Sequence, residues 1–235
     1  MTALAAALML AFTVTTGRQA VPVSKDAVRV SNDAVPVSKE PHHHFKFENE
    51  FVRVYDVLVE PGDATLYHTH SSDYVFVNLT NTQLKAQNMG SGAIDLPVTI
   101  GQTVFTKATI THRVMNPDKV AFRNITVEIL KTPAARPESS PLAGIPGHQI
   151  VLDNDRVRIE RLVLEPGQTT GTHTHTLMSL GIAVTAAKVA YQSEDGKEQV
   201  AEFKAGDFNW HPQPRTHSLK NVGTTRFEAV EIEWK

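Results

Sequence analysis

Two short stretches of the sequence carry the same arrangement of metal-binding side chains. Residues 62–70 read GDATLYHTH and residues 167–175 read GQTTGTHTH, so each has a glycine, a five-residue gap and a His-x-His pair. Side chains alternate between the two faces of a β-strand, so a His-x-His pair places both imidazoles on one face, with Cα atoms roughly 6.5 Å apart. Two such imidazoles can converge on one metal ion at about 2.0–2.1 Å.

A further histidine follows each pair at the same distance in the chain. A third imidazole from another strand would complete a facial set and leave coordination positions for water or substrate, as in catalytic metal sites. The competing interpretation is a set of hydrogen-bonded core histidines, or sites that were inherited and no longer bind metal. The predicted metal ligands are His68, His70 and His112, followed by His173, His175 and His217.

The histidines belong to a longer internal repeat. When residue n is set against residue n+105, residues 47–70 lie over residues 152–175 with ten of 24 positions identical and no gap. The same register pairs His43 with His148, Gly101 with Gly206 and Asn116 with Asn221. Two copies that keep one register through every loop predict two copies of one fold.

The elements that must position these histidines are β-strands. Residues 51–60 and 156–165 are rich in β-branched residues that partly alternate with polar ones, and each run ends in Glu-Pro-Gly, which is typical of a turn. Outside the N-terminal region, we find no convincing amphipathic helix. Many short strands at this spacing predict an all-β sandwich or barrel.

Composition excludes several classes of function. The chain has 235 residues, a net charge of -2 and no cysteine. It therefore lacks the basic surface that nucleic acid or an anionic membrane requires, and it has no disulfide, thiolate metal site or thiol nucleophile. Residues 3–14 form an apolar run that is too short to span a bilayer but suits a secretory signal, although no Lys or Arg precedes it.

The motifs resemble those of cupins, a superfamily of small jelly-roll β-barrels. The first cupin motif begins Gly-x5-His-x-His, which Gly62, His68 and His70 match, and Gly167, His173 and His175 match it again. The second motif is matched by Gly101, His112 and Asn116 and by Gly206, Pro212, His217 and Asn221. The resemblance implies an all-β chain with two tandem cupin barrels (jelly-roll, double-stranded β-helix), related by the 105-residue internal repeat, with an ion inside each.

The resulting domain organisation has five parts. We predict a signal segment over residues 1–20, and an extended linker of three heptapeptide repeats over residues 21–42. An N-terminal cupin barrel follows over residues 43–130, then a proline-rich connector over residues 131–147 and a C-terminal cupin barrel over residues 148–235. The adjacent histidines 42–44 are interpreted as a solvated approach to the first barrel, while His148 and His211 receive no role.

The sequence departs from the first cupin motif where that motif has a glutamate ligand. Tyr74 and Ser179 take that place, and Asp73 lies one residue earlier. We therefore name Asp73 and Tyr74 as candidate catalytic residues, Asp73 as a ligand or general base and Tyr74 as a group that orients a bound oxygen. The alternative is that both are polar residues of an edge strand without a catalytic role. Trp210 is predicted either to wall a pocket or to pack in the core.

The resemblance, together with an open three-histidine site, implies a metal-dependent oxidoreductase. The divalent ion would be Fe, Mn, Zn or Ni, and the substrate a small molecule that chelates metal through oxygen, as for the diketone, flavonol and gentisate-like dioxygenases or the oxalate-acting bicupins. One alternative is a non-catalytic module that binds a small molecule through its metal; a storage-type bicupin with empty barrels is another. The protein is expected to be exported to the periplasm or secreted, or cytoplasmic if the leader does not act. We expect no nucleic-acid partner, no membrane contact in the mature form, and compatibility with a homodimer.

Overall fold

The computed structural model of the protein describes residues 33–133, 142 and 144–235. The described residues form 19 strands and one short turn of 3-10 helix, Val37–Lys39, and they include no helix long and apolar enough to cross a bilayer. The strands of the first half are β1 (Val35–Pro36), β2 (His43–Glu48), β3 (Val52–Val59), β4 (His68–His70), β5 (Asp73–Asn78), β6 (Thr82–Asn88), β7 (Ile94–Val98), β8 (Thr103–Thr106), β9 (Ile110–Met115) and β10 (Phe122–Ile129). The strands of the second half are β11 (His148–Asp153), β12 (Val157–Leu164), β13 (His173–His175), β14 (Ser179–Ala183), β15 (Ala187–Ser193), β16 (Glu198–Phe203), β17 (Phe208–His211), β18 (Arg215–Asn221) and β19 (Phe227–Trp234).

Four sheets make up two barrels. Sheet I has the order β1-β4-β9-β6-β7 and sheet II the order β2-β3-β10-β5-β8; together they form barrel 1. Sheet III, β11-β12-β19-β14-β17, and sheet IV, β13-β18-β15-β16, form barrel 2. The pairings recur with residue numbers raised by 105: Val59 pairs with Phe122 and Leu164 with Phe227, while His68 pairs with His112 and His173 with His217. The predicted all-β class is confirmed.

Alternation along the strands of sheets II and III decides which residues enter each barrel. In β10, Phe122 and Glu128 face the interior of barrel 1, whereas Ile125, Val127 and Ile129 face the other way. The outward faces of sheets II and III are both apolar, so they pack against each other instead of facing water. The largest hydrophobic cluster among the described residues therefore lies between the two barrels, and each barrel has a smaller cluster of its own.

Polar contacts at the edges of this shared core also link the barrels. The guanidinium of Arg123 pairs with Asp56 at 2.8 Å and donates to the carbonyl of Ala205 in barrel 2 at 3.0 Å. Gly206 has a φ of 90°, and a Cβ there would lie 2.7 Å from Nη2 of Arg123. Glycine is thus required at this position both by the backbone conformation and by the approach of the other barrel.

The predicted boundary of the first barrel is too late. Val35 and Pro36 pair in parallel with β4, and Val37 is buried with the interior cluster of barrel 1. The third heptapeptide repeat is therefore part of the barrel rather than a linker, because its two valines supply an edge strand and a core side chain. The predicted signal segment and the first part of the linker lie outside the described residues, as does most of the connector, of which Leu142 is buried.

Candidate metal and substrate site

In barrel 1 the structure brings four histidines together. His68 and His70 lie on β4 and point inward, and His112 lies opposite His68 on the neighbouring strand β9. The ring centroids of His68 and His112 are 4.5 Å apart, and those of His70 and His112 are 5.3 Å apart. His43 on β2 is the fourth member, with its ring centroid 4.6 Å from that of His68.

His43 corrects our interpretation of residues 42–44. The ligand nitrogen atoms of His43, His68 and His70 all lie within 4.8 Å of one another, whereas His112 is not in this group. Adjacent residues of a strand point to opposite faces, so His43 enters the barrel while its neighbour His44 is exposed. The only sequence signal for this position was its match with His148 across the repeat.

In barrel 2 the cluster has the predicted composition. His173, His175 and His217 are buried, and their ligand nitrogen atoms lie within 4.8 Å of one another. The ring of His217 is 4.5 Å from that of His173 and 5.1 Å from that of His175. His148, left without a role by the sequence, lies beside this group, with its ring 5.0 Å from that of His173.

Hydrogen bonds fix which nitrogen of the first histidine in each pair faces the interior. Nδ1 of His68 donates to the carbonyl of Leu66 at 2.9 Å, and Nδ1 of His173 donates to the carbonyl of Gly171 at 3.0 Å. Because a carbonyl can only accept, Nε2 of each ring carries a lone pair. Both Nε2 atoms are buried and make no hydrogen bond with any residue that the structure describes, and the same holds for Nε2 of His112.

Four of the clustered rings, those of His68, His112, His173 and His217, are neutral at physiological pH. Burial lowers the pKa of His68 to about 2 and that of His112 to about 3, and the neighbouring imidazoles act in the same direction. In barrel 2, burial lowers the pKa of His173 to about 4 and that of His217 to about 2. Neutral imidazoles with free lone pairs are the form in which histidine binds a metal.

A buried carboxylate lies near Nδ1 of the second histidine of each pair. These carboxylates were not predicted from the sequence. Oε1 of Glu128 lies 3.8 Å from Nδ1 of His70, and Oε1 of Glu233 lies 3.3 Å from Nδ1 of His175. Arg53 and Arg158 bind the other oxygens of these glutamates. All four residues match across the repeat, and that identity was the available signal. Such carboxylates orient ligating histidines and raise their basicity.

The two predicted catalytic residues have different positions. Asp73 faces away from the histidines; it accepts a hydrogen bond from the amide of Ala108 at 2.8 Å and lies 3.4 Å from Arg156. Its prediction as a ligand or base is wrong, because it pairs with the outward-facing Ile129. Tyr74 faces inward, with its ring stacked on His70 at 4.0 Å, and burial raises its pKa to about 12.

Barrel 2 contains a cavity of about 120 Å³ beside its histidines. Glu231 and Arg215 line it, and Ser179 is hydrogen-bonded to both; these three residues stand where barrel 1 has Thr126, Ile110 and Tyr74. Arg215 forms an ion pair with Glu231 and donates to Oγ of Ser179 at 2.8 Å, while its Nε is buried and has no hydrogen-bond partner in the described part of the chain. Attraction to His175 and Arg215 outweighs burial and lowers the pKa of Glu231. This cavity wall is therefore polar and ionised.

Trp210 packs in the core between the barrels. Its ring stacks on that of Phe51 in barrel 1 at 6.3 Å and meets that of Trp234 edge-on at 5.1 Å. The neighbouring residues of β17, Asn209 and His211, face the cavity instead. Of the two predictions for Trp210, core packing is the one that the structure supports.

Both clusters fit a divalent transition-metal ion. Their donors are imidazole nitrogens, which suit Zn, Cu, Fe or Ni rather than Mg or Ca, and several of these nitrogens are buried without a hydrogen-bond partner among residues 33–133, 142 and 144–235. An ion bound at about 2.0–2.1 Å holds its donor atoms within about 4.2 Å of one another. Separations of up to 4.8 Å therefore close with small rotations of the rings.

Comparison with known proteins supports the fold. No family model matches the chain. No curated protein matches it. Among solved structures, AerE from Microcystis aeruginosa has a TM-score of 0.62 at 14% identity, over 83% of this chain and 93% of that chain. A variant of oxalate decarboxylase from Bacillus subtilis has a TM-score of 0.55 at 13% identity, over 91% and 80% of the two chains. Salicylate 1,2-dioxygenase from Pseudaminobacter salicylatoxidans has a TM-score of 0.52 at 14% identity, over 78% and 71%.

At these identities the similarity concerns the fold. The strand order, the shared core and the inward-facing histidines of both halves agree with it. The chain has the bicupin fold, two cupin barrels in tandem, with a histidine cluster suited to a divalent metal ion in each barrel.

Proposed function

We propose that the protein is a metal-dependent oxidoreductase of the dioxygenase type, and that its reaction takes place in barrel 2. The observation that carries this proposal is the coincidence there of three buried histidines, a cavity and a buried arginine with a free donor. In barrel 1, Tyr74 and Phe76 occupy the equivalent positions to Ser179 and Gly181. Two aromatic rings thus stand where barrel 2 has a hydroxyl group and a hydrogen atom.

The substrate class follows from the cavity. Its volume of about 120 Å³ is well below the roughly 300–1,000 Å³ of pockets that take drug-sized ligands. Nε of Arg215 offers a hydrogen bond to an oxygen acceptor, and apolar side chains such as Leu162, Leu219 and Phe227 keep the space poor in water. These features favour a small carboxylate or enol with two oxygen donors.

The residues of barrel 2 would divide the work. Fe(II) or Mn(II) held by these three imidazoles would supply the capacity to bind a chelating substrate and dioxygen side by side. Arg215 would orient the substrate through Nε, because its terminal nitrogens are already bound to Ser179 and Glu231. Glu233 would hold the Nδ1 proton of His175 so that Nε2 keeps its lone pair for the metal.

Oxygen consumption tests the proposal directly. The full chain would be stripped of metal, reloaded with Fe(II), Mn(II), Ni(II) or Zn(II), and assayed with diketones, flavonols, gentisate-like acids and oxalate, the last also for carbon dioxide release. We expect turnover with one metal and one substrate class. His175→Ala should lose this turnover, whereas the exposed control His44→Ala should retain it. Absence of turnover across the whole panel, or full activity in His175→Ala, would contradict it.

A non-catalytic binding module is the second candidate. It is favoured by the absence of the first cupin motif's glutamate from both barrels, where Tyr74 and Ser179 stand instead. Metal-loaded protein would then gain thermal stability from a small chelating acid without converting it. A thermal shift accompanied by product formation would decide for the enzyme.

A further inference from the structure

The unassigned histidine at the start of each barrel has a built environment. His43 on β2 and His148 on β11 are 105 residues apart and face the interiors of their barrels. The ring of His43 lies 4.6 Å from that of His68 and 5.7 Å from that of His70. Neither residue belongs to a cupin motif, so their position beside the motif histidines is a property of this chain.

A buried carboxylate holds His43 in place. Oε2 of Glu40 accepts a hydrogen bond from Nδ1 of His43 at 2.6 Å, and the Glu40 side chain is fully buried. Because Nδ1 donates to Glu40, the remaining nitrogen of His43 can turn its lone pair toward His68 and His70. This is the arrangement that carboxylates make behind metal-binding histidines.

Glu40 is also anchored to the rest of the site. Its Oε1 accepts from the amide of Leu66 at 3.2 Å, two residues before His68, and from Nδ1 of His42 at 2.9 Å. Glu40 therefore joins the N-terminal segment, β2 and the entry to β4.

In barrel 2 the carboxylate near the first-strand histidine comes from a different position in the sequence. Ile145 stands at the position equivalent to Glu40, whereas Glu160 stands at the position equivalent to Tyr55. Oε2 of Glu160 lies 3.4 Å from Nδ1 of His148. A carboxylate thus approaches the first-strand histidine in both barrels, although its place in the sequence has changed.

We propose that His43, His68 and His70, whose ligand atoms lie within 4.8 Å of one another, bind a metal ion in barrel 1, and that Glu40 is the positioning residue of His43. His112, with its ring 4.5 Å from that of His68, turns in as the fourth ligand and closes the site. Tyr74 closes the remaining side by stacking on His70 at 4.0 Å. Four protein ligands with no open position mark a structural rather than a catalytic site. Barrel 2, which has Ser179 in place of Tyr74 and a cavity beside its histidines, keeps a position for substrate.

Metal binding by the full chain tests this proposal without reference to activity. In a His175→Ala background, which removes the site of barrel 2, elemental analysis should find one ion per chain. Adding His43→Ala should abolish that ion or weaken its binding at least tenfold, whereas adding the matched control His44→Ala, its exposed neighbour, should change nothing. Cobalt(II) bound to the His175→Ala parent should give the strong visible absorption of a four-coordinate site. The additional change His43→Ala should abolish this absorption.

The near-isosteric variant Glu40→Gln tests the same site if His43→Ala fails to fold. It retains all four histidines but weakens the hydrogen bond that orients His43, so metal affinity should fall about 10- to 100-fold. The proposal is overturned if His43→Ala binds cobalt with unchanged affinity and spectrum, or if Glu40→Gln binds it as tightly as the parent. Since neither readout involves turnover in barrel 2, the proposed oxidoreductase activity can fail while this site stands, and the reverse also holds.

Discussion

Replacing Arg215 with isoleucine, the residue at the equivalent position of barrel 1, tests both the energetics and the role of the cavity. The side chains of Arg215 and Glu231 are 13% and 17% exposed, so their ion pair is largely desolvated. Removing one member of a buried pair leaves an uncompensated charge and costs about 3–5 kcal/mol. Because Ser179 still donates to Glu231, we expect the lower end, about 3 kcal/mol, for Arg215→Ile.

The chain itself supplies the compensating change. Glu231→Thr introduces the barrel 1 residue, Thr126, and removes the stranded carboxylate. The double variant should therefore be more stable than Arg215→Ile alone, with a coupling free energy of about 2 kcal/mol measured by urea unfolding of the four members of the cycle. Arg226→Ile is the control: Arg226 is half exposed, so its loss should cost less than about 1 kcal/mol.

Ligand binding in the same variants decides the functional part. A hydrogen bond to a charged group contributes about 1.5–3 kcal/mol, so loss of the Arg215 donor should weaken binding of oxalate to the metal-loaded protein about 10- to 150-fold. Calorimetry on wild type and the double variant gives this ratio, with metal content measured on the same samples. Unchanged oxalate affinity in a double variant that retains its metal would refute the assignment of Arg215 as the substrate anchor.

Three further outcomes concern the scaffold. Ile232→Ala in the core between the barrels should cost about 2–5 kcal/mol and leave a single unfolding transition, since both barrels share that core; two separate transitions would contradict it. Asn221→Ala should lower the free energy of unfolding by at least about 2 kcal/mol, because the Asn221 amide donates to the carbonyls of Leu164 and Thr225 at 2.9 and 2.8 Å. A decrease below about 0.5 kcal/mol in urea unfolding, as for an exposed substitution, would show that these hydrogen bonds are unimportant. Chelation of a metal present at 100 times its dissociation constant should remove about 2.7 kcal/mol of stability, whereas an unchanged melting temperature would mean that folding does not depend on the ion.

The sequence predicted the fold because its signals were duplicated. Strand patterns, turns and histidines all recur at a spacing of 105 residues, and the strand pairings of the structure recur at the same spacing. The same comparison matches Glu128 with Glu233 and Arg53 with Arg158. Predicting that these pairs lie beside the histidines would have required only the strand parity, that is, which alternate residues of each strand face the barrel interior. That parity depends on which face of the sheet is covered, which one strand alone does not reveal.

The residues that were missed or wrongly assigned are those whose face of the sheet cannot be predicted from their position along one strand. Asp73 and Tyr74 are adjacent, and only the pairing of β5 with β10 shows which of them shares a face with Glu128. His43 lies in a run of three histidines, so its orientation could not be separated from that of His42 and His44. Its burial comes from sheet II closing over β4, which is a long-range consequence of the fold.

The differences between the barrels are grouped rather than scattered, and this grouping argues for divided roles. Glu40 and Tyr55 become Ile145 and Glu160, so a carboxylate is retained for the first-strand histidine while its place in the sequence changes.

At the opposite wall, Tyr74, Thr126 and Ile110 become Ser179, Glu231 and Arg215, which exchanges a packed, uncharged set for a hydrogen-bonded ionic one. Any one of these three changes alone would leave either a void or an unpaired buried charge, each of which costs several kcal/mol. The three are therefore energetically dependent on one another. A barrel that needed only a metal for stability would gain nothing from this cluster, whereas a barrel that must bind a small anion beside its metal requires a polar wall of this kind.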